Sequence, residues 1–143
     1  MTARQSYHLT FARFSPSLSV RSFSASEAVN TAYSVEITAT STDSSLPLSS
    51  YLNQRAAFEI RPQEGLLSEV VSAFGSASDD PPAKQWQGII TSCEKLSVSK
   101  DETVYRFVLE PRFAALKHFQ TSRLFQHQTV PDIVAAVFKH HGF

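Results

Sequence analysis

Five histidines, His8, His118, His127, His140 and His141, are the residues of this 143-residue chain best suited to hold a metal ion. A metal site needs several donors converging on one point, which in sequence shows as an HxH pair on a strand or an HExxH pair on a helix. Neither spacing occurs. His140 and His141 are adjacent, and adjacent helix positions point about 100° apart, so they do not share an ion. The carboxylate pairs Asp79–Asp80 and Asp101–Glu102 lie in polar stretches and read as solvated loop charges. Serine chemistry would show a GxSxG elbow and phosphate binding a glycine-rich loop. There is no such elbow, and Gly65, Gly75, Gly88 and Gly142 are too dispersed for such a loop. Cys93 has no second cysteine and no adjacent base to lower its pKa, so it reads as a small apolar filler in a strand. The expectation is a protein that is not an enzyme and takes no cofactor and no metal.

Thirteen basic and thirteen acidic side chains cancel. The basic residues Arg4, Arg13, Arg21, Arg55 and Arg61 are scattered among acids, so nothing steers the chain to nucleic acid. No stretch approaches the ~20 apolar residues that cross a bilayer, and MTARQSYHLTF carries no signal-peptide run. Synthesis in the cytosol is expected, with any export independent of a cleaved signal. The lone cysteine fits a reducing compartment. A hydrophobic fraction of 42% against 18% charged supplies a core, and the length suits one domain, residues 1–143.

The elements that would carry these residues follow from periodicity. Tyr7, Leu9 and Phe11 alternate with His8 and Thr10, the period of a half-buried strand. Leu18, Val20 and the Phe23 region make a second strand, and Tyr33, Val35, Ile37 and Ala39 a third. A loop at 42–47 and a helical turn at 49–53 precede a strand carrying Ala56, Phe58 and Ile60. Leu66, Leu67, Val70, Val71 and Phe74 fall at helical spacing, so 62–84 reads as an inserted amphipathic helix and loop. Trp86–Leu96 and Thr103–Leu109 form a hairpin across a polar turn. Phe11, Phe14, Tyr33, Phe58, Tyr105 and Phe107 are assigned to the core. The segment 112–143 is helical, with a helix over Phe113–Phe119 and a last one capped by Thr129, with Pro131 and Asp132 in its first turn and Gly142 at its end. The sum is a β-rich α+β chain: six or seven strands in a small antiparallel β-barrel or curled sheet, with an inserted helix and C-terminal helices.

The run LSVRSFSASEAVNTAYSVEITATS resembles the opening strands of VgrG proteins, the spikes of type VI secretion systems, which are related to contractile-phage baseplate hub and late control D proteins. Phe23 and Glu27 fill that family's Phe and Glu positions. QWQGIITSCEKL, with Gly88, resembles its aromatic-x-Gly-Ile-Val strand. From VYRFVLEPRF to VPDIVAAV the family pattern is met in order by Tyr105, Pro111, Ser122, Arg123, Phe125, Gln126 and Pro131. Asn53 stands where the family usually has Gly. The resemblance implies a bacterial structural hub that forms trimers and docks on a hexameric inner tube, and that meets an effector or adaptor. It also implies location in the bacterial cytoplasm before firing, and a remainder of the protein beyond the first barrel. The alternative is a stand-alone adaptor on the same barrel, recognising its partner through residues 62–84.

Overall fold

A computed structural model of the chain describes residues 5–62 and 84–143. The elements run β1 (Gln5–Phe11), β2 (Ser19–Ala28), β3 (Thr31–Ser41), α1 (Leu48–Tyr51), β4 (Arg55–Pro62), β5 (Lys84–Val98) and β6 (Thr103–Glu110). A 3-10 turn (Arg112–His118) and helix α2 (Val130–His140) follow. The chain divides into two compact units, Met1–Pro111 and Arg112–Phe143.

In the first unit the six strands form one antiparallel sheet in the order β1-β4-β5-β6-β3-β2. The sheet curls into a half-barrel because every strand presents its apolar alternates to the same side. Val35, Ile37 and Ala39 of β3 face inward with Tyr105, Phe107 and Leu109 of β6, all fully buried. Phe58 of β4 and Ile90 of β5 are buried as completely. Glu36, Arg106 and Glu94 lie on the opposite, solvent face, where Arg106 bridges the two acids at 3.6 Å and 2.5 Å. The short helix α1 stoppers the core with Tyr51, packed edge-on against Phe11 at 4.9 Å and Phe107 at 5.9 Å. Behind it Asn53 adopts φ 59 and donates its N–H to the Ile90 carbonyl at 2.8 Å. That left-handed conformation suits glycine or asparagine, so the Asn in place of the family's Gly keeps the turn.

In the second unit, α2 is bounded by local chemistry at both ends. Thr129 and Asp132 form a reciprocal capping box, and Pro131 occupies the first turn. At the other end Gly142 adopts φ 77, its N–H reaches the Lys139 carbonyl and the Phe143 N–H reaches the Phe138 carbonyl. Those two bonds make a Schellman cap, and the Phe138–Phe143 ring contact at 5.7 Å is its hydrophobic partner.

Two expectations are corrected. The helix read over Phe113–Phe119 is a 3-10 turn, because Phe113 and Leu116 at a three-residue spacing fit either helix and seven residues are too few to separate the periods. Phe14 lies past the end of β1, 37% exposed, and its ring meets that of Tyr51 at 5.3 Å. The strand had already ended at Phe11, so Phe14 has no inward face to share. The described residues contain six strands, the lower of the two counts expected. The inserted helix read over 62–84 falls, apart from its first and last residues, outside the described residues.

Candidate interaction surfaces

β1 and β2 stand at the two ends of the sheet, and no third strand hydrogen-bonds them to each other among the described residues. The half-barrel is closed across that seam by side chains. Phe23 of β2 meets Tyr7 of β1 at 5.3 Å, Phe58 of β4 at 5.0 Å and Trp86 of β5 at 6.3 Å. Past this cluster, near the end of β2, Glu27 accepts hydrogen bonds from the Trp86 indole N–H at 2.7 Å and the Lys84 ammonium at 2.9 Å. The Lys84 ammonium also sits 5.0 Å above the Trp86 ring. These two donors hold the Glu27 carboxyl below the usual glutamate range, Lys84 first and Trp86 second. Glu27 therefore latches an edge strand to β5, a strand three places away in the sheet.

The edges differ in regularity. β1 pairs with β4 residue for residue over its whole length, whereas β2 carries two register shifts, between Val20 and Ser22 and between Ser26 and Ala28. Bulges disrupt the ladder that an added strand would need, so β1 is the edge with the more regular backbone.

Gly88 and Tyr105 hold the wall between the edges. A Cβ on Gly88 would lie 2.0 Å from the Glu110 carbonyl oxygen, so the two backbones touch there. The Tyr33 hydroxyl closes over the same point and donates to the Gln87 carbonyl. Tyr105 is fully buried, yet its hydroxyl reaches the Asp43 carbonyl at 2.7 Å, which satisfies the one polar atom it brings into the core. The Asp43 carboxylate fixes that loop by accepting from the Ser45 N–H at 2.8 Å and hydroxyl at 2.6 Å. Pro111 is buried directly after β6, where its missing N–H ends the ladder. Cys93 packs against the core from β5, and burial pushes its thiol up to about 11, which keeps it protonated at neutral pH.

The remaining motif residues lie in the second unit. Ser122 and Gln126 are exposed in the connection before α2, and Pro131 lies in the first turn of the helix. Arg123 and Phe125 line a pocket of about 160 Å³ with Thr121, Val137 and His141. Among the described residues no three His, Cys, Asp or Glu side chains gather as a metal-binding group, and no helix is long and apolar enough to cross a membrane. Sequence reasoning singled out Glu27 but not Trp86 or Lys84 as its partners, and Arg123 but not Thr121 or His141. Those partners carry no local signal, since Glu27 and Trp86 are 59 residues apart.

A model of the phage tail baseplate hub (GPD) family matches residues 26–143, which takes in every motif position named above except Phe23. The chain belongs to the phage tail baseplate hub family. It is 30% identical over 125 residues to the type VI secretion system spike protein VgrG4b of Pseudomonas aeruginosa, covering 87% of this chain and 13% of that protein. Spike protein VgrG1b of the same organism is 32% identical over 82 residues, 57% of this chain and 11% of its own length. Among solved structures the E. coli c3393 protein superposes with a TM-score of 0.74 at 26% identity, over 94% of this chain and 32% of that one. It is described as a component of the type VI secretion system with structural similarity to the T4 bacteriophage tail proteins gp27 and gp5. The chain thus spans 13% or less of the curated spike proteins it matches, and its curled antiparallel sheet is the hub fold.

In this hub barrel the Glu27 latch has a pH signature. Its folded-state pKa is depressed, so its contribution is present above the ordinary glutamate pKa and fades as pH falls through the lower, folded value. Glu27→Gln keeps an oxygen for the Trp86 indole but removes the charge opposite Lys84. The variant is expected to melt below the wild type at neutral pH, with the gap closing in acid. Melting curves across that range check it, and a gap that persists unchanged in acid would contradict the charge-based latch.

Proposed function

We propose that this chain is a structural hub component of a contractile injection apparatus of the type VI secretion kind. The observation that carries the reading is the hub-family match over residues 26–143, joined to a half-barrel whose two end strands, among the described residues, meet through side chains and share no backbone ladder. Copies of the protein assemble around a threefold axis, and the ring docks on a hexameric inner tube. The work is mechanical and needs no cofactor. Its partners are sister subunits, the tube protein, and an effector or adaptor. The protein resides in the bacterial cytoplasm until the apparatus fires, and leaves through the apparatus without a signal peptide. An edge strand left open in an isolated subunit is commonly covered by a neighbour, which supports the self-association part of the reading.

The test is native mass spectrometry of the chain across a concentration series, alone and mixed with the purified hexameric tube protein. A species built from three copies, or a stoichiometric complex with the tube ring, is the expected result. A chain that stays monomeric throughout and ignores the tube protein would sink the hub reading.

A further inference from the structure

In the second unit, helix α2 buries none of its residues. Val130, Val134, Val137 and His141 follow one another by four, three and four residues, which keeps them within about 60° of each other around the helix axis. Val130 and Val134 are 73% and 45% exposed, whereas Val137 and His141 are half-buried and line the pocket with Thr121, Arg123 and Phe125. An apolar stripe therefore runs along α2 into a cavity of about 160 Å³. Three lining residues can donate hydrogen bonds: the Arg123 guanidinium, the Thr121 hydroxyl and the His141 imidazole, which offers an N–H in either charge state. The imidazole packs against the Phe119 and His140 rings at 4.9 Å and 5.0 Å. Arg112 is held by the Gly142 carbonyl at 2.9 Å and the Phe143 ring at 4.7 Å. Arg123, by contrast, makes no ion pair or hydrogen bond among the described residues.

Residues 112–143 hold four basic side chains and one acidic, Asp132, whose carboxylate is engaged in the capping box. The chain's zero net charge thus hides a positive segment, and the surface complementary to it is acidic. Phosphate groups favour helix N-termini, where backbone N–H groups converge. This pocket takes its helical residues from the C-terminal end of α2, where the dipole is negative. A phosphate dianion is disfavoured there more than a singly charged carboxylate, which one guanidinium can hold through two parallel N–H bonds. Phe125 and Val137 supply apolar walls for the methylene stem of such a group. We propose that this face docks an acidic amphipathic helix of a partner protein, with the partner's apolar residues on Val130 and Val134 and a glutamate carboxylate in the Arg123 pocket. The stripe gives the contact its area, and the guanidinium fixes its register. The inference uses only side chains of the second unit and does not rest on the hub reading.

Backbone-amide NMR titration of the full chain tests it with a synthetic helical peptide that carries two leucines four residues apart and a glutamate seven residues further on. Shifts should concentrate at residues 121–125 and along α2. Arg123→Gln, at an exposed position, should weaken binding by roughly tenfold or more, as should replacing the peptide's glutamate by glutamine. The two changes together should cost little more than either alone, because each removes the same pair. Val134→Asp should weaken the peptide as well, with the spectrum of the free chain otherwise preserved. A wild type that ignores the peptide, a glutamine peptide that binds as tightly, losses that simply add, or displacement by inorganic phosphate at equal concentration would each overturn the proposal. Native mass spectrometry with the tube protein reads the hub proposal separately, so failure of the peptide removes this docking face alone.

Discussion

Phe58→Ala should lower the stability of the barrel by about 4 kcal/mol, since deleting a buried phenylalanine ring and leaving its cavity behind costs ~3–5 kcal/mol. Phe58 is fully buried and lies 5.0 Å from Phe23, 5.9 Å from Trp86 and 6.5 Å from Tyr7. Those neighbours come from β2, β5 and β1, so the ring fills the space where the two sheet ends meet. Among the described residues no backbone ladder joins β1 to β2, so the lost side chain is not compensated by ladder hydrogen bonds across the seam. The melting temperature should fall by roughly 10 °C or more. Hydrogen exchange should speed up more in β1 and β2 than in the central strand β6, because the side-chain closure fails before the ladder does. A loss near 1 kcal/mol, or exchange that rises equally in all six strands, would show that the seam is closed by something other than this cluster.

The second large effect comes from the smallest side chain. Gly88→Ala adds one carbon, and that carbon would meet the Glu110 carbonyl oxygen at 2.0 Å and its carbonyl carbon at 2.7 Å. Overpacking a core usually costs ~1–3 kcal/mol. Here the obstacle is backbone rather than a side chain that can change rotamer, so the expected cost is about 3 kcal/mol, at the top of that range. A lower urea midpoint with an unchanged slope is the measurement that checks it. Gly142→Ala provides the contrast: nothing but the tip of Arg112 lies near, at 3.9 Å, and the obstacle is the positive φ of 77°. Its effect should be confined to the end of α2, at about 1 kcal/mol.

Much of this was legible in the sequence where the cause is local. The alternation of Val35, Ile37 and Ala39 marks a strand because a half-buried strand repeats every two residues, and the structure buries these three residues together. Thr129, Pro131, Asp132 and Gly142 mark both ends of α2, because capping is settled within a few residues of the helix terminus. Phe14 misled for the complementary reason: an aromatic near a strand looks like core until the exact end of the strand is known.

Glu27 and Gly88 stood out only as motif positions, and their physical roles lie in residues far along the chain. Glu27 needs Trp86 and Lys84, 59 and 57 residues away, and Gly88 needs the carbonyl of Glu110. The amino-acid sequence by itself therefore determined the strands, the capped helix, the neutral overall charge and the hub-family pattern. The tertiary structure alone decided how the sheet closes, which glycine tolerates no Cβ and which side chains share the Arg123 pocket. Periodicity and capping act over a single turn or a few strand residues. The strand order β1-β4-β5-β6-β3-β2 joins residues far apart in the chain, and Phe23, Phe58 and Glu27 meet their partners across the seam only where that sheet curls.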